Sequence, residues 1–212
     1  MIKNIAIFGD SFSDPKWVKN DYLAWPELLE NDFNVTNFSL SGTSLWWSYK
    51  QFKKLSTEYD YCIFTITMPG RIHIESLDRH LNLNPSTWPV WYGTNFGEMY
   101  FQYFYSEERE MAFHNFMLED IKSTANTLII PGFVESMPSH TGWTLCHLAD
   151  VEMYHYGLQH PGPNEARKCH LSAENNHMVY KKIIASLGAD KILPLSQEDY
   201  VVPADPMSRY WK

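Results

Sequence analysis

The sequence has little of what nucleic acids and membranes require of a binding partner. It carries 17 Lys and Arg residues against 25 Asp and Glu, for a formal net charge of -8 at pH 7, and the basic residues form no tract. Nucleic acids and anionic membrane surfaces both attract clustered positive charge. No apolar run approaches the roughly 18 residues of a membrane-spanning helix. We therefore expect neither nucleic acid as a partner nor a membrane span.

Cysteine is scarce, and no secretion signal opens the chain. The three cysteines, Cys62, Cys146 and Cys169, are odd in number and show no close pairing. This usage is typical of reduced, cytosolic proteins. The amino terminus lacks the basic region, long apolar core and small-residue cleavage site of a signal peptide. We predict a cytoplasmic location, with release by lysis as the route out of the cell if the protein is phage-encoded.

The chain does hold the apolar patterns of an alternating α/β fold. Hydrophobic residues make up 44% of its 212 residues and no linker divides it, which predicts one domain over 1–212. Apolar runs predict strands at 5–8, 33–40, 59–67 and 127–133, with an edge strand at 192–195. Helices are predicted at 26–31, 45–55, 106–123 and 172–187. This alternation predicts a three-layer α/β/α sandwich with a mostly parallel central sheet, of the flavodoxin-like type.

Two irregular insertions interrupt this pattern. Residues 78–105 are rich in aromatic side chains, and residues 135–165 are rich in His, Pro and Gly. The first segment is too long for a simple connection. It suits either a stacking platform for sugar rings or acyl chains, or a satellite core beneath a long loop. In the helix predicted after it, His114 falls between the apolar positions, so we expect that side chain to be exposed.

A candidate nucleophile follows the first strand directly, in Gly9-Asp10-Ser11. Open α/β sheets bind ligands at the carboxyl ends of their strands, and glycine permits a sharp turn there. The same tripeptide also suits an ordinary turn in which Asp10 or Ser11 caps the next segment. Gly42, after the second strand, has a backbone N–H that a ligand can approach, as an oxyanion hole requires. His170, before the last helix, can serve as the base that activates Ser11.

Three motifs, taken in order, resemble those of the SGNH or GDSL hydrolase family. They are GDSFS at 9–13, NFSLSGT at 37–43 and HLS at 170–172. The resemblance spans nearly the whole chain apart from the two insertions. It implies Ser11 as the nucleophile, His170 as the general base, and the backbone N–H groups of Ser11 and Gly42 as oxyanion donors.

The chain departs from the family after its third strand. The family's Gly-x-Asn-Asp motif is replaced by TMPGR at 67–71, so no asparagine is available as an oxyanion donor. Arg71 can supply charge-assisted donors in its place, or it can pair with a structural carboxylate. We group Asp10, Thr67 and Arg71 with Gly42 as the predicted oxyanion or substrate-binding residues.

A second departure concerns the acid that orients the histidine. The family has an aspartate three residues before the histidine, where this chain has Arg167. Glu165 is the nearest carboxylate on that side, with Asp150 and Glu152 further back. A Ser-His dyad whose imidazole is oriented by a backbone carbonyl stays open, because triads are defined by geometry and roles.

The other histidines are weaker candidates. His177 is the alternative base, but it falls inside the last predicted helix, away from the loop edge. Six of the nine histidines lie toward the carboxyl end, yet none forms a His-x-x-x-His pair. Cys146 and Cys169 each adjoin a histidine without forming a Cys-x-x-Cys pair. We predict no metal site and no cofactor.

Together these residues predict a serine hydrolase that cleaves an acyl or acetyl ester through an acyl-enzyme. The substrate would be a small-molecule or carbohydrate ester, and interleaved aromatic and polar residues favour an O-acetylated carbohydrate. Two alternatives stay open. One is a non-catalytic carbohydrate-binding or virion-associated module on the same scaffold, and the other is an acyltransferase that uses the same serine.

Overall fold

A computed structural model describes residues 2–17, 22–74, 79–83, 99–137, 142–149, 171–189, 191–203 and 206. Six strands lie in these ranges: β1 Asn4–Phe8, β2 Asn34–Asn37, β3 Tyr61–Ile66, β4 Ile72–Ile74, β5 Arg79–Leu83 and β6 Thr127–Pro131. The α-helices there are α1 Trp25–Leu29, α2 Leu45–Leu55, α3 Glu107–Ser123, α4 Leu145–Leu148 and α5 Ala173–Ser186.

The centre of the fold is a four-stranded sheet in the order β2-β1-β3-β6. Every neighbouring pair in it is parallel. Side chains along the strands alternate between two buried clusters, because successive residues of a strand point to opposite faces. Ile5 and Ile7 of β1 pack into one cluster, and Ala6 and Phe8 pack into the other.

Helices cover both faces of this sheet. The cluster around Ile5 and Ile7 receives side chains of α1, α4 and α5: Trp25, Leu29, Leu145, Leu148, Val179 and Ile183. The cluster around Phe8 receives side chains of α2 and α3: Leu45, Phe52, Met117, Leu118 and Ile121. This confirms the predicted α/β/α architecture with a parallel central sheet.

The long predicted helices match the structure within one or two residues, and serine side chains cap three of them. Ser44, Ser106 and Ser172 each accept a hydrogen bond from the backbone N–H three residues later, at the starts of α2, α3 and α5. Such caps satisfy donors that the first turn of a helix otherwise leaves unpaired. Among the helices of the described ranges, none combines the length and the apolar character needed to cross a bilayer.

Two predicted strands are shorter than expected by half or more. β2 ends at Asn37 because the Asn37 side chain accepts a hydrogen bond from the Ser39 N–H, which turns the chain out of the sheet. The predicted edge strand at 192–195 is a single parallel bridge between Ile129 and Ile192. Pro194 follows there and has no N–H to continue the ladder.

The antiparallel pair of β4 and β5 was not predicted. It lies where the sequence analysis placed a turn and the start of the aromatic insertion. Ile72 and Ile74 alternate with polar residues, which is the period of a strand. The signal was present but only three residues long.

The strand order places a crevice at one edge of the sheet. The chain runs from β1 to β2 on one side and then crosses to β3 on the other, so the strand order reverses at β1. In open α/β sheets, ligands bind outside the carboxyl ends of the strands at such a reversal. The segments that leave β1 and β3 here are Gly9-Asp10-Ser11 and the TMPGR segment at 67–71.

Candidate active site

Ser11 lies in a tight turn at the carboxyl end of β1. The Ser13 N–H donates to the Asp10 carbonyl at 3.1 Å, and the Phe12 N–H donates to Asp10 Oδ1 at 3.1 Å. Gly9 precedes the turn because there is no room for a side chain. A Cβ atom at Gly9 would lie 2.5 Å from Ser13 Oγ and 2.8 Å from Thr65 Cβ. The close approach of β3 therefore requires glycine before the turn that carries Ser11.

The Ser11 hydroxyl and the two N–H groups predicted to bind an oxyanion make no hydrogen bonds within the described part of the protein. The Ser11 side chain is nearly buried, with 9% of its surface exposed, and its Oγ makes no hydrogen bond to any described residue. Within the same ranges, neither the Ser11 N–H nor the Gly42 N–H donates to an acceptor. Gly42 has φ +80, which a residue with a side chain adopts only at a cost. Among the described residues, the Ser11 hydroxyl and the N–H groups of Ser11 and Gly42 thus have no hydrogen-bond partner.

One carbonyl group connects the loop after β1 (the first loop) to the loop after β2 (the second loop). The carbonyl oxygen of Gly9 accepts from the Leu40 N–H at 3.2 Å, from Thr43 Oγ1 at 3.3 Å and from Ser48 Oγ at 3.2 Å. Leu40 and Thr43 flank Gly42 in the sequence, and Ser48 belongs to α2. The loop that carries Gly42 is therefore tied to the residue two positions before Ser11.

Two further side chains connect the same loops. Asp14 is buried, and its Oδ2 accepts from the Ser41 N–H at 2.9 Å. Asn37 Nδ2 donates to the Ser13 carbonyl at 2.7 Å. These roles were not predicted from the sequence. Asp and Asn commonly form local turns, but the sequence around Asp14 and Asn37 does not indicate their partners in the other loop.

A buried ion pair joins the first loop to the loop after β3 (the third loop). Arg71 Nη1 lies 2.9 Å from Asp10 Oδ2, and the two side chains are 7% and 0% exposed. Thr67 Oγ1 donates to the same carboxylate oxygen at 2.7 Å and accepts from Arg71 Nη1 at 2.6 Å. Of the two roles left open for Arg71, this geometry is that of a partner to a buried carboxylate. Three of the predicted site residues, Asp10, Thr67 and Arg71, thus contact one another next to Ser11.

Arg71 also contacts the second loop and an aromatic ring. Its Nη1 lies 3.5 Å from the Thr43 carbonyl oxygen. Its guanidinium carbon lies 5.0 Å from the centre of the Phe133 ring, a cation–π distance. Phe133 in turn packs edge-on against Phe12, with ring centres 5.3 Å apart. Phe133, which follows Gly132 after β6, was not among the residues predicted from the sequence.

His170 and Glu165 lie outside the described residues, as do Asp150 and Glu152. The residue after His170 is described. Leu171 is buried, bridges Ala149 and accepts a hydrogen bond at its carbonyl from Tyr22 Oη at 3.0 Å. His177 lies within α5, where it is exposed and its ring packs against Tyr180. These are the surroundings of a surface histidine.

His114 is buried, so its predicted exposure was wrong. Only 2% of the residue is accessible, and its Nε2–H donates to the Ser136 carbonyl at 2.6 Å. Burial lowers the pKa of His114 below its ordinary value of 6.5, more than the hydrogen bond to Ser136 raises it. The helical pattern around His114 gave no sign of Ser136, because that partner lies 22 residues away.

This buried histidine predicts a loss of stability in acid. The unfolded chain takes up a proton near pH 6.5 while folded His114 stays neutral to lower pH. The free energy of unfolding should therefore fall as the pH drops below 6.5 and through the lowered pKa. Urea titrations between pH 7.5 and 5 measure this, and His114→Gln, which keeps an N–H donor, should show a shallower decline. Equal declines in both proteins would contradict the assignment.

The described end of the aromatic insertion combines packed and exposed rings. Tyr100 packs against Phe101 and Tyr105, with ring centres 5.5 and 6.5 Å away. Tyr103 and Phe104 are exposed at 69% and 60%. Both interpretations of the segment thus keep support here. In the described ranges, no group of three or more His, Cys, Asp or Glu side chains is arranged to hold a metal ion.

Comparison with known proteins adds little to this geometry. No protein-family model matches the chain, and no curated protein matches its sequence. A crystal structure of a lipase/acylhydrolase from Enterococcus faecalis is similar with a TM-score of 0.40 and 14% sequence identity. The match covers 89% of this chain and 99% of that chain. A likeness this distant says nothing about chemistry, so the site itself must support any function.

Proposed function

We propose that this protein is a serine hydrolase that cleaves carboxylic esters, with Ser11 as its nucleophile. One observation carries the proposal. The nearly buried Ser11 hydroxyl lies in a tight turn at the strand-order reversal, and the loops around it are cross-linked by hydrogen bonds to Gly9, Asp10 and Asp14. Pre-organised donors stabilise a developing oxyanion because they need not reorient during the reaction.

The proposed reaction has two halves. Ser11 Oγ attacks the ester carbonyl carbon while His170 takes the hydroxyl proton, and the N–H groups of Ser11 and Gly42 hold the oxyanion. His170 then gives the proton to the departing alcohol oxygen, which leaves the acyl group on Ser11. Water attacks this acyl-enzyme, with its proton passing to His170. Collapse releases the carboxylic acid and returns the proton to Ser11.

His170 stays the proposed base on the chain order, and a path of hydrogen bonds connects the residues that follow His170 and Ser11. The Asn176 side chain donates to the Leu171 carbonyl at 3.1 Å and accepts from the Trp25 N–H at 2.9 Å. The Trp25 indole N–H donates to the Phe12 carbonyl at 2.9 Å. The residue after His170 is thus linked through two side chains to the residue after Ser11. Glu165 stays the proposed orienting acid, on the chain order alone.

Exposed aromatic side chains support the finer proposal of an acyl or acetyl group on a carbohydrate. Trp46 is 47% exposed in the first turn of α2, four residues after Gly42, and Tyr103 and Phe104 are more exposed still. Aromatic faces on a surface suit the apolar faces of sugar rings. An acetylated oligosaccharide should therefore be a better substrate than a long-chain fatty acyl ester, when both are compared by kcat/KM.

The hydrolase proposal predicts a burst of product. Mixed with excess p-nitrophenyl acetate, the full chain should release close to one p-nitrophenol per molecule rapidly, followed by slower steady turnover, because the acyl-enzyme accumulates. Rapid-mixing absorbance measures both phases. Neither burst nor turnover would overturn the proposal and favour a non-catalytic binding module. A burst followed by transfer to added alcohols faster than to water would indicate an acyltransferase.

A further inference from the structure

We propose that Arg71 is a positioning residue that holds the Ser11 and Gly42 N–H groups in one fixed arrangement, with its Nη1 bound to protein acceptors and not to the oxyanion. The proposal rests on the function proposed above. The third loop, at 67–71, supplies Arg71 and no asparagine.

A single nitrogen atom, Arg71 Nη1, connects the three loops. Arg71 Nη1, from the loop after β3, lies 2.9 Å from Asp10 Oδ2 in the first loop. The same atom lies 3.5 Å from the Thr43 carbonyl in the second loop. Asp10 directly precedes Ser11, and Thr43 directly follows Gly42. Arg71 is thus joined to the immediate neighbour of each proposed oxyanion donor.

The number of hydrogen bonds that Arg71 Nη1 can donate is limited. A guanidinium Nη atom carries two hydrogens. Three acceptors surround Arg71 Nη1, namely Asp10 Oδ2, the Thr43 carbonyl and Thr67 Oγ1 at 2.6 Å. Both hydrogens are therefore already committed to protein acceptors. Donation from Nη1 to a substrate would require breaking a contact within this buried network.

The network is also buried and packed against an aromatic ring. The Arg71 and Asp10 side chains are 7% and 0% exposed, and the Phe133 ring packs against the guanidinium. The other carboxylate oxygen of Asp10 accepts from the Phe12 N–H, which shapes the turn around Ser11. A movement of Arg71 would therefore be transmitted to both loops. Small errors in the position of reacting groups carry large rate penalties.

A double-mutant cycle separates positioning from direct donation. Asp10→Asn and Arg71→Gln should each lower kcat for p-nitrophenyl acetate by roughly 10²-fold, the scale of one lost oxyanion donor. KM should stay within about twofold, and the double variant should be no slower than either single variant. If Arg71 donates directly, Asp10→Asn should lose far less than Arg71→Gln and the losses should multiply. Unchanged kcat per folded molecule would also overturn the proposal.

A second measurement does not depend on activity. In Arg71→Gln, the NMR order parameters of the Ser11 and Gly42 amides should fall from about 0.85, typical of rigid backbone, to below about 0.6. The Gly188 amide, in the turn after α5, serves as an internal control and should not change. Lys53→Gln, which breaks an exposed ion pair, should leave all three values unchanged. Rigid Ser11 and Gly42 amides in Arg71→Gln would overturn positioning, whereas mobile amides in a protein without esterase activity would overturn only the proposed function.

Discussion

Replacing Ser11 by alanine is expected to lower kcat/KM for p-nitrophenyl acetate by roughly 10⁴–10⁶-fold, or to the uncatalysed rate if that is reached first. Alanine removes the oxygen proposed to form the acyl-enzyme and leaves the backbone N–H groups of the turn in place. The Ser11 hydroxyl makes no hydrogen bond to any residue in the described ranges, so its loss should cost little stability. Steady-state kinetics and a urea titration measure the two effects.

The matched control is Ser39→Ala, in the neighbouring loop. Ser39 Oγ is buried and has no hydrogen-bond partner among the described residues, so this variant also removes one unpaired hydroxyl. It should keep the wild-type rate. A fall in kcat/KM of less than tenfold in Ser11→Ala would contradict the role of Ser11. An equal fall in both variants would point to a general disturbance of the loops.

The second large effect is on stability. Asp10→Ala is expected to lower the free energy of unfolding by about 3–5 kcal/mol, because it leaves the buried Arg71 guanidinium without its carboxylate. It also removes the acceptor of the Phe12 N–H and of the Thr67 hydroxyl. Since single domains are stable by only about 5–15 kcal/mol, the variant should unfold at markedly lower urea concentration.

An exposed ion pair of the same length provides the control. Lys53 Nζ lies 2.9 Å from Asp120 Oδ2, but the two side chains are 50% and 31% exposed. Lys53→Ala should therefore cost about 0–1 kcal/mol. If Asp10→Ala and Lys53→Ala proved equally mild, the Asp10–Arg71 pair could not be the buried link between loops described above.

The central sheet and the helices α1, α2, α3 and α5 were predictable because their signals are local, whereas α4 lies in a segment predicted to be irregular. The apolar runs at β1, β3 and β6 are continuous, as expected of strands buried on both faces. The serine caps of α2, α3 and α5 mark their starts in the sequence. Ser11 and Gly42 were proposed in the same way, from their position just after predicted strands.

The partnerships within the site were not predictable, because they are long-range. Arg71 and Asp10 lie 61 residues apart, and nothing near Arg71 distinguishes a buried partner from a donor facing substrate. The burial of His114 likewise depends on a carbonyl outside its helix. β4 escaped notice for a different reason, since a three-residue strand carries too short a pattern.

The central claim is that Ser11 is an activated nucleophile, and a fluorophosphonate probe tests it most directly. After incubation with the full chain, intact mass and peptide mapping should show one adduct per molecule, attached to Ser11. The Ser11→Ala variant should show none, and Ser39→Ala should be labelled like the wild type. An unlabelled wild-type protein, or an adduct that persists in Ser11→Ala, would contradict the account.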